Sequence, residues 1–463
     1  MTGVFKGGGS VASLTGKKQI DMTEGNIARQ LITFAIPLFV GDLLQQFYNV
    51  ADSMIVGNLV SKQALAAVSA TTNIVNVLVG FFSGISVGAT VVVSRNFGAK
   101  HYEKLNRSVR TILWLTLVIG VLFTVIGILG SPLMLNLLGT PEDVMQDAST
   151  YLRIYFAGVL GQLLYNMCGG ILRAVGDSRR PMLILALSSV MNLAMDLVFI
   201  QVFRLGVAGA AYATIIAQFI SAGILFRYLF DIEAFKPLKF NVPVFDRECL
   251  SIIAKVGIPI GIRKSLISFS NTVVVSYINR FGSGAMAAWG VQNRVDNMIS
   301  LTVQSISTAI TTFVSQNLGA RKKERIRTGI RLSFILNFCI CAFYITLFVI
   351  FRVPIIKLFN QDADVIAYGS QIFLIMLPIQ IINTGTHTCC GVLQGYGESK
   401  GPMYIMIFCY VILRQLYLNL LWPKFQTFGF VISAYPFAWI FCCIITVIYT
   451  VRKVRSINRS FAE

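Results

Sequence analysis

Charged residues are scarce in this chain: Asp, Glu, Lys and Arg make up 13% of its 463 residues. Apolar residues supply 55%, and the mean hydropathy is +0.71. This composition excludes an ordinary soluble domain and a disordered chain, so it predicts an integral membrane protein. The net charge of +19 would suggest a nucleic-acid partner in a soluble protein. Because the basic residues fall in short segments between apolar runs, we attribute them to membrane orientation and predict no nucleic-acid binding.

Signals of catalysis, metal binding and secretion are also lacking. The sequence has no HExxH motif and no P-loop, so an intramembrane enzyme is the least favoured class. The nine cysteines form no CxxC pair and lie mostly in apolar segments, which argues against a disulfide framework or a metal site. No cofactor is expected apart from a coupling ion. No cleavable leader is expected either, because residues 1–30 are polar and run directly into a full-length apolar segment.

Twelve apolar segments are long enough to cross a bilayer as helices, which predicts an all-α membrane fold. Their approximate limits are 27–56, 64–94, 108–130, 146–172, 182–202, 207–229, 251–279, 286–315, 330–351, 366–393, 402–422 and 428–451. Lys and Arg concentrate at both chain ends and in every second loop, whereas the other loops hold few. Those few are Lys62, Arg204, Arg280, Arg352, Lys357 and Lys424. The positive-inside rule then predicts cytoplasmic termini in the inner or plasma membrane.

The two halves of the chain repeat. RNFGAKHYEK at 95–104 returns as QNLGARKKER at 316–325, and GGILRAVGDSRRPM at 169–182 returns as CGVLQGYGESKGPM at 390–403, each 221 residues later. Six spans per repeat give both halves the same orientation. We therefore predict two six-helix lobes related by a pseudo-two-fold axis along the membrane normal, with a cavity between them.

The predicted division of the chain follows this repeat. It consists of a cytoplasmic tail at 1–25, a first lobe at 26–230, a cytoplasmic linker at 231–248, a second lobe at 249–452 and a cytoplasmic tail at 453–463. The linker is charged and holds two prolines, which is typical of a boundary between lobes.

Polar residues of the first lobe share one depth in the predicted membrane. Asp52, Tyr151, Asp196 and Thr214 lie roughly 7 to 10 Å below the outer helix ends, with Asn192 one turn deeper. Asn192 and Asp196 are four residues apart and therefore share a helix face. Two carboxylates at one depth cannot both stay ionised cheaply, so a proton or a small cation such as Na⁺ is expected to join them. The layer is thus a candidate ion-coupling site. The alternative, that Asp52 and Asp196 are only hydrogen-bonded contacts between helices, stays open.

The repeat places apolar or aromatic residues at the equivalent positions of the second lobe. These are Val274, Ile372, Tyr417 and Phe437. The sequence therefore predicts ion binding in the first lobe only.

Residues near this layer are candidates for the hinge and the substrate cavity. Pro37 precedes Asp52 by 15 residues and permits a kink, which is either a hinge or a static packing feature. Gln45, Asn49 and Asn166 are expected to line the cavity. Asp42 lies about 80° from Asp52 around the helix, so it is expected to pair with a basic residue elsewhere.

The second lobe has basic residues within apolar spans. Arg263, His387 and Arg414 are further cavity candidates, and Asp296 is the acid available to neutralise one of the arginines. For His387 a hydrogen-bonded packing role is favoured over a proton relay, and both stay open.

Several stretches are similar to the multidrug and toxic compound extrusion (MATE) transporters. They are MTEGNIARQLITFAIPL at 22–38, the paired RNFGA and QNLGA, ILRAVGDSRRPM at 171–182 and GVAGAAYAT at 206–214. The resemblance implies twelve helices in two lobes and export of amphipathic, usually cationic, compounds in exchange for H⁺ or Na⁺. The family's first-helix proline and aspartate match Pro37 and Asp52, and the cluster of its DinF-like branch matches the first-lobe layer. The second-lobe acids of the NorM-like branch are missing, since helix 7 carries Arg263 and Lys264.

These observations predict a secondary active multidrug exporter that works by alternating access. Its expected partners are small amphipathic molecules and the lipid bilayer, and it is expected to act as a monomer. The alternative is a flippase or exporter of a lipid-linked or anionic metabolite, motivated by Arg263, Arg294 and Arg414.

Overall fold

A computed structural model describes residues 20–235 and 244–460, and within these ranges the chain is helical without strands. The helices are α1 (Ile27–Leu59), α2 (Lys62–Gly98), α3 (Tyr102–Leu137), α4 (Glu142–Ala157), α5 (Val159–Ala174), α6 (Arg179–Leu197), α7 (Gly206–Leu229), α8 (Arg247–Ile278), α9 (Ser283–Gly319), α10 (Lys323–Ile350), α11 (Arg352–Phe359), α12 (Ala363–Gly395), α13 (Lys400–Ile407), α14 (Arg414–Leu421) and α15 (Phe428–Ser460). The predicted all-α class is confirmed.

All twelve predicted membrane crossings can be traced in these helices. Ten stretches are long and apolar enough to span a membrane, and the bent pair α4 and α5 makes an eleventh. The twelfth is α8, which has the length of a span at 32 residues but carries Lys255, Arg263 and Lys264. An even number of crossings puts both ends of the chain on one side, here called the terminal side.

The observed helices differ from the predicted spans at three places. The span predicted at 146–172 is two helices bent by 46°, and at the bend a Cβ on Gly158 would lie 2.1 Å from Cγ2 of Ile215. Two spans include π-helical turns, Val198–Val202 and Phe408–Leu413. The short helix α11 was not predicted. Several helices also extend beyond their predicted limits, because their polar end turns carry no hydropathy signal.

Equivalent hydrogen bonds in the two lobes show the repeat in three dimensions. Thr90 Oγ1 donates to the carbonyl of Gly170 over 3.1 Å, and Thr311 Oγ1 donates to that of Gly391 over 2.9 Å. Ser94 and Ser315 make the same equivalent bonds to Ala174 and Gly395. The predicted two-lobe architecture is thus confirmed.

The lobes meet where α2 packs along α8, and glycines allow the close approach. A Cβ on Gly84 would lie 2.6 Å from the carbonyl oxygen of Gly257, and one on Gly88 would lie 2.8 Å from that of Ile253. These glycines flank Ser86 in a G-x-S-x-G sequence, the spacing of a hydrolase nucleophile. Ser86 nevertheless lies within a continuous helix and donates to the carbonyl of Asn166 over 2.8 Å, so the spacing serves packing.

The terminal side of the bundle is closed by contacts between the lobes. Met22, fully buried, receives a hydrogen bond at its carbonyl from Asn317 Nδ2 (3.0 Å) and donates its N–H to Gln316 Oε1 (3.0 Å). Gln316 Nε2 also donates to the carbonyl of Ala174 in the first lobe over 2.7 Å. Part of the predicted tail at 1–25 therefore packs against the second lobe; residues 1–19 of it, residues 236–243 of the predicted linker and residues 461–463 lie outside the described residues.

Candidate functional site

The predicted first-lobe layer is brought together from α1, α4, α6 and α7. Asp196 has no exposed surface, Asn192 is 2% exposed and Tyr151 is 8% exposed. Asp52 on α1 is partly buried. The four-residue spacing of Asn192 and Asp196 turns both side chains toward the inside of the lobe.

The two carboxyl groups of the layer face each other. Asp52 and Asp196 are within hydrogen-bonding reach of one another. Both oxygens of Asp196 and Oδ1 of Asp52 have no other hydrogen-bond donor among the described residues. Two carboxylate oxygens can approach in this way only when a proton or a cation lies between them, since each is an acceptor alone. The geometry is suited to binding one small positive ion.

Hydroxyl and amide groups complete this cluster. Asn192 Nδ2 donates to Thr214 Oγ1 over 3.4 Å, and Thr214 Oγ1 donates to the carbonyl of Ala210 over 3.0 Å. The Oδ1 atom of Asn192 is buried with no partner in the described ranges. The cluster therefore offers neutral oxygen atoms beside the carboxyl pair, as either a hydrated proton or Na⁺ requires.

Tyr48 is a member of the cluster that the sequence analysis missed. Its hydroxyl lies close to Thr214, and its surroundings include Asp52, Tyr151 and Asp196. Tyr48 precedes Asp52 by four residues, so it lies one helical turn away on the same face of α1. The four-residue spacing from Asp52 was the signal that could have identified Tyr48. The depth of a tyrosine in an apolar span does not by itself indicate a function.

The equivalent layer of the second lobe is a hydrophobic core. Val274 and Ile372 are fully buried in it, and Tyr417 stacks on Phe437 with ring centroids 4.4 Å apart. No carboxylate occupies these positions. The two lobes therefore share a fold, but the second lobe has no carboxylates at these positions that could bind an ion.

Four other predicted residues of the first lobe have different surroundings. Gln45 Nε2 donates to Asn49 Oδ1 over 3.4 Å on an exposed face of α1. Asn166 Nδ2 donates to the carbonyl of Gln162 over 2.9 Å, within its own helix. Pro37 is buried, and α1 continues through it without a break. None of these four takes part in the ion-binding layer.

Asp42 is part of a charged network between the lobes. Its electrostatic partners are Arg173 on α5 and Lys264 on α8. Lys264 Nζ donates to Ser83 Oγ on α2 over 3.1 Å, which links the second lobe to the first. No ion pair joins Asp42 to either residue within the described ranges, so its pairing with a basic residue stays a prediction.

The basic residues of the second lobe pack inside that lobe. Arg414 is 2% exposed, donates to Ser270 Oγ over 2.8 Å and lies 4.8 Å over the ring of Tyr435. Its guanidinium lies against this ring inside the second lobe, and its place in the cavity between the lobes stays a prediction. Arg263 contacts Cys390 Sγ and Met406 Sδ, each at 3.4 Å.

His387 and Asp296 complete the predicted residues of this lobe. His387 lies near Arg263. Asp296 accepts a hydrogen bond from Gln380 Nε2 over 2.8 Å. The expectation that Asp296 neutralises Arg263 or Arg414 is wrong, because no ion pair joins it to either within the described residues.

Twelve spans in two pseudo-symmetric lobes, with ionisable side chains in the membrane interior, are the architecture of a membrane transporter. The chain belongs to the MatE family, whose profile matches residues 37–198 and 259–418.

Named relatives and solved structures agree with this assignment. The probable multidrug resistance protein YpnP of Bacillus subtilis is 31% identical over 76% of this chain and 79% of its own length. The probable multidrug resistance protein YoeA of the same organism is 30% identical over 83% of this chain and 84% of its own. An outward-facing multidrug resistance MATE family transporter superposes with a TM-score of 0.85 at 21% identity, covering 96% of this chain and 99% of that one. The predicted family is confirmed.

Proposed function

We propose that the protein is a secondary active multidrug exporter that exchanges amphipathic, cationic compounds for H⁺ or Na⁺. The observation that carries the proposal is the buried pair of Asp52 and Asp196, whose carboxyl groups face each other and require a positive ion between them. The printed names of the relatives, which describe multidrug resistance and export proteins, support the choice of substrates.

The coupling follows from the position of α1. Toward the terminal side this helix packs on the second lobe, where Leu31 and Phe34 share a core cluster with Phe313. Toward its other end it holds Asp52 against Asp196 of its own lobe. An ion that binds the pair stabilises α1 against the first lobe, and loss of the ion frees it. Ion binding at one end of α1 can thereby bias the interlobe contact at the other, with Pro37 between them as the hinge.

The distribution of basic residues supports a cytoplasmic terminal side, with the protein in the inner or plasma membrane. The protein would act as a monomer there, with substrate leaving through the space between the lobes. The DinF-like branch is the assignment that the first-lobe cluster favours.

Transport in proteoliposomes tests the proposal. Under separately imposed pH and Na⁺ gradients, ethidium movement should follow one of the two gradients. Asp52→Asn and Asp196→Asn should each reduce that rate at least about tenfold, since neutralising one carboxyl removes the ion site. Asp364→Asn, which removes an exposed acid of α12, is the matched control and should retain the rate. Gradient-driven transport that survives both first-lobe substitutions would overturn the proposal.

The alternative, an exporter or flippase of a lipid-linked or anionic metabolite, has weaker support. Of its three arginines, Arg414 is enclosed behind Tyr435 and Arg263 contacts sulfur atoms. Arg294 is exposed and lies 5.5 Å from the ring centroid of Phe359. Each of the three guanidinium groups has its own set of contacts, and none of these contacts is shared.

A further inference from the structure

The segment before α1 fills a slot between the lobes on the terminal side. Met22 is fully buried there, between the side chains of Gln316 and Asn317 that bond its backbone. The carbonyl of Ile20 approaches the turn after α5 so closely that a Cβ on Gly176 would lie 2.1 Å from its oxygen. Backbone atoms of the chain itself therefore occupy this first slot.

The repeat predicts a second slot of the same kind, and the structure has a cavity of about 100 Å³ at that place. Gly397, 221 residues after Gly176, has a φ of +85° where Gly176 has +88°. No atom of the described residues lies within 4 Å of a Cβ on Gly397. Both lobes contribute to the walls, among them Val92, Arg95, Ile252, Lys255 and Leu318.

The chain does not fill the second slot as it fills the first. The segment before α8 corresponds to the segment before α1, but its described part packs on α3. The N–H of Asp246 donates to Thr111 Oγ1 over 3.1 Å, and its carboxylate lies 3.1 Å from Nε of Arg107. The second slot is therefore accessible to a ligand from outside the chain.

Two positive charges distinguish the second slot from the first. Arg95 stands where the repeat has Gln316, and Lys255 stands where it has Thr33. Neither forms an ion pair with an acid among the described residues. Glu398, next to the wall of the slot, accepts hydrogen bonds from the first two N–H groups of α13 over 3.1 and 3.2 Å. One cation from each lobe is thus available to an anion.

The size of the slot limits what this anion can be. A volume of about 100 Å³ holds roughly three water molecules. Drug-sized ligands need pockets of roughly 300 Å³ or more. The slot is therefore suited to a single compact group, such as a phosphate, which arginine and lysine both bind well.

An apolar stripe on α8 leads from the slot into the membrane. Ile258, Ile262 and Leu266 follow Lys255 at spacings of three, four and four residues, so the four side chains share one helix face. The three apolar side chains are 42%, 41% and 37% exposed. A lysine at the end of such a stripe extends its ammonium group toward the membrane surface. This arrangement favours a phosphate carried by a lipid, with acyl chains along the stripe.

We propose that the second slot binds the phosphate group of an anionic phospholipid, which Arg95 of the first lobe and Lys255 of the second lobe hold together. A ligand held by both lobes stabilises the arrangement in which the terminal side is closed. Its effect on export rests on the proposed function: anionic lipid would favour the closed terminal side and so set the pace of its opening. Binding and closure themselves do not depend on transport.

Mass spectrometry of the intact full chain with bound lipid tests the binding. We expect phosphatidylglycerol to bind at least about tenfold more tightly than phosphatidylcholine, whose choline group repels the two cations. Arg95→Gln and Lys255→Thr, which introduce the residues of the first slot, should each reduce this preference roughly fivefold. Arg179→Gln, which removes an exposed arginine from the start of α6, is the matched control and should leave the preference intact.

Pulsed electron resonance between spin labels at Lys104 and Arg327 tests the closure. In nanodiscs, replacing phosphatidylcholine with phosphatidylglycerol should raise the ratio of closed to open populations at least about threefold. This increase should be lost in Arg95→Gln and in Lys255→Thr. Millimolar inorganic phosphate in phosphatidylcholine nanodiscs should not reproduce it, because free phosphate has no contact with the apolar stripe.

Equal affinities for the two lipids, or a preference that survives both substitutions, would overturn the site. An equal rise in the closed population with inorganic phosphate would overturn the lipid as its source. Failure of the proposed function gives a different result: no gradient drives transport, yet phosphatidylglycerol still binds through Arg95 and Lys255 and closes the terminal side.

Discussion

Gly98 of α2 contacts Gln316 of α9 so closely that a Cβ on the glycine would lie 1.9 Å from the carbonyl oxygen of Gln316. The repeat-related pair makes the same contact in the opposite sense, since a Cβ on Gly319 would lie 2.0 Å from the carbonyl oxygen of Arg95. Two symmetric glycine contacts thus close the terminal side. Alternating access, as proposed above, requires both to separate when this side opens.

Gly98→Ala should prevent this closure. Alanine suits a helix better than glycine does, so the helix itself is not weakened, but the added methyl group cannot fit against the carbonyl. We expect the terminal side to open and transport to fall at least about tenfold. Pulsed electron resonance between spin labels at Lys104 and Arg327, both exposed, would show a longer distance. Gly223→Ala, where nothing lies within 4 Å, is the control; an unchanged distance distribution in Gly98→Ala would contradict the prediction.

Arg325 holds the segment before α1 on the second lobe. Its guanidinium donates to the carbonyls of Met22 and Gly25 over 3.1 and 2.7 Å, and to Gln30 Oε1 over 2.6 Å. Arg325→Ala should lower the free energy of unfolding by about 2 kcal/mol, because three charge-assisted bonds are lost while water can solvate the freed carbonyls.

Thermal unfolding in detergent and the rate of proteolysis near Met22 measure this effect. Arg327→Ala, which removes an exposed arginine from the same helix, should change neither. Equal melting temperatures for the two variants would show that the bonds of Met22 to Gln316 and Asn317 hold the segment without Arg325.

Tyr48→Phe should weaken ion binding without unfolding the protein. The change removes the hydroxyl that lies beside Thr214 and keeps the ring. A lost hydrogen bond of about 1 kcal/mol corresponds to a roughly fivefold rise in the ion concentration needed for half-maximal transport. Tyr212→Phe, on an exposed face of α7, is the control. Half-maximal concentrations within twofold of each other would exclude Tyr48 from the site.

Arg414→Met tests whether this buried arginine is structural. No acid pairs with it among the described residues, and Ser270 Oγ keeps its bond to the carbonyl of Tyr410 (2.8 Å) when the guanidinium is removed. Replacing a buried charge with an apolar side chain of similar length should leave the free energy of unfolding within about 1 kcal/mol, or raise it. Chemical denaturation in detergent measures this free energy, and a loss of several kcal/mol would contradict this account.

Features that repeat along the chain were predictable from the sequence. Long apolar runs indicated the spans, and the 221-residue period between RNFGA and QNLGA indicated two equivalent lobes. Depth along a helix follows from residue count alone, which is why Asp52, Asp196 and Tyr151 were expected in one layer.

Contacts around the helices were less predictable. The depth of a residue in the membrane does not specify how its helix is rotated about its axis. Tyr48 was therefore missed, although it lies one turn from Asp52. For the same reason, the contact of the Arg414 guanidinium with the ring of Tyr435 was not predicted. Asp296 was expected beside an arginine, but the packing of α9 on α12 brings it to Gln380 instead.

The sequence by itself determined the number of crossings, the pseudo-symmetry and the depth of each ionisable side chain, because hydropathy and helical rise depend only on the local sequence of each helix. Only the tertiary structure decided which acids meet, which arginines are enclosed and which side of the bundle is closed. Those outcomes depend on how each helix is rotated about its axis and how one lobe lies on the other, and packing across many distant residues sets both.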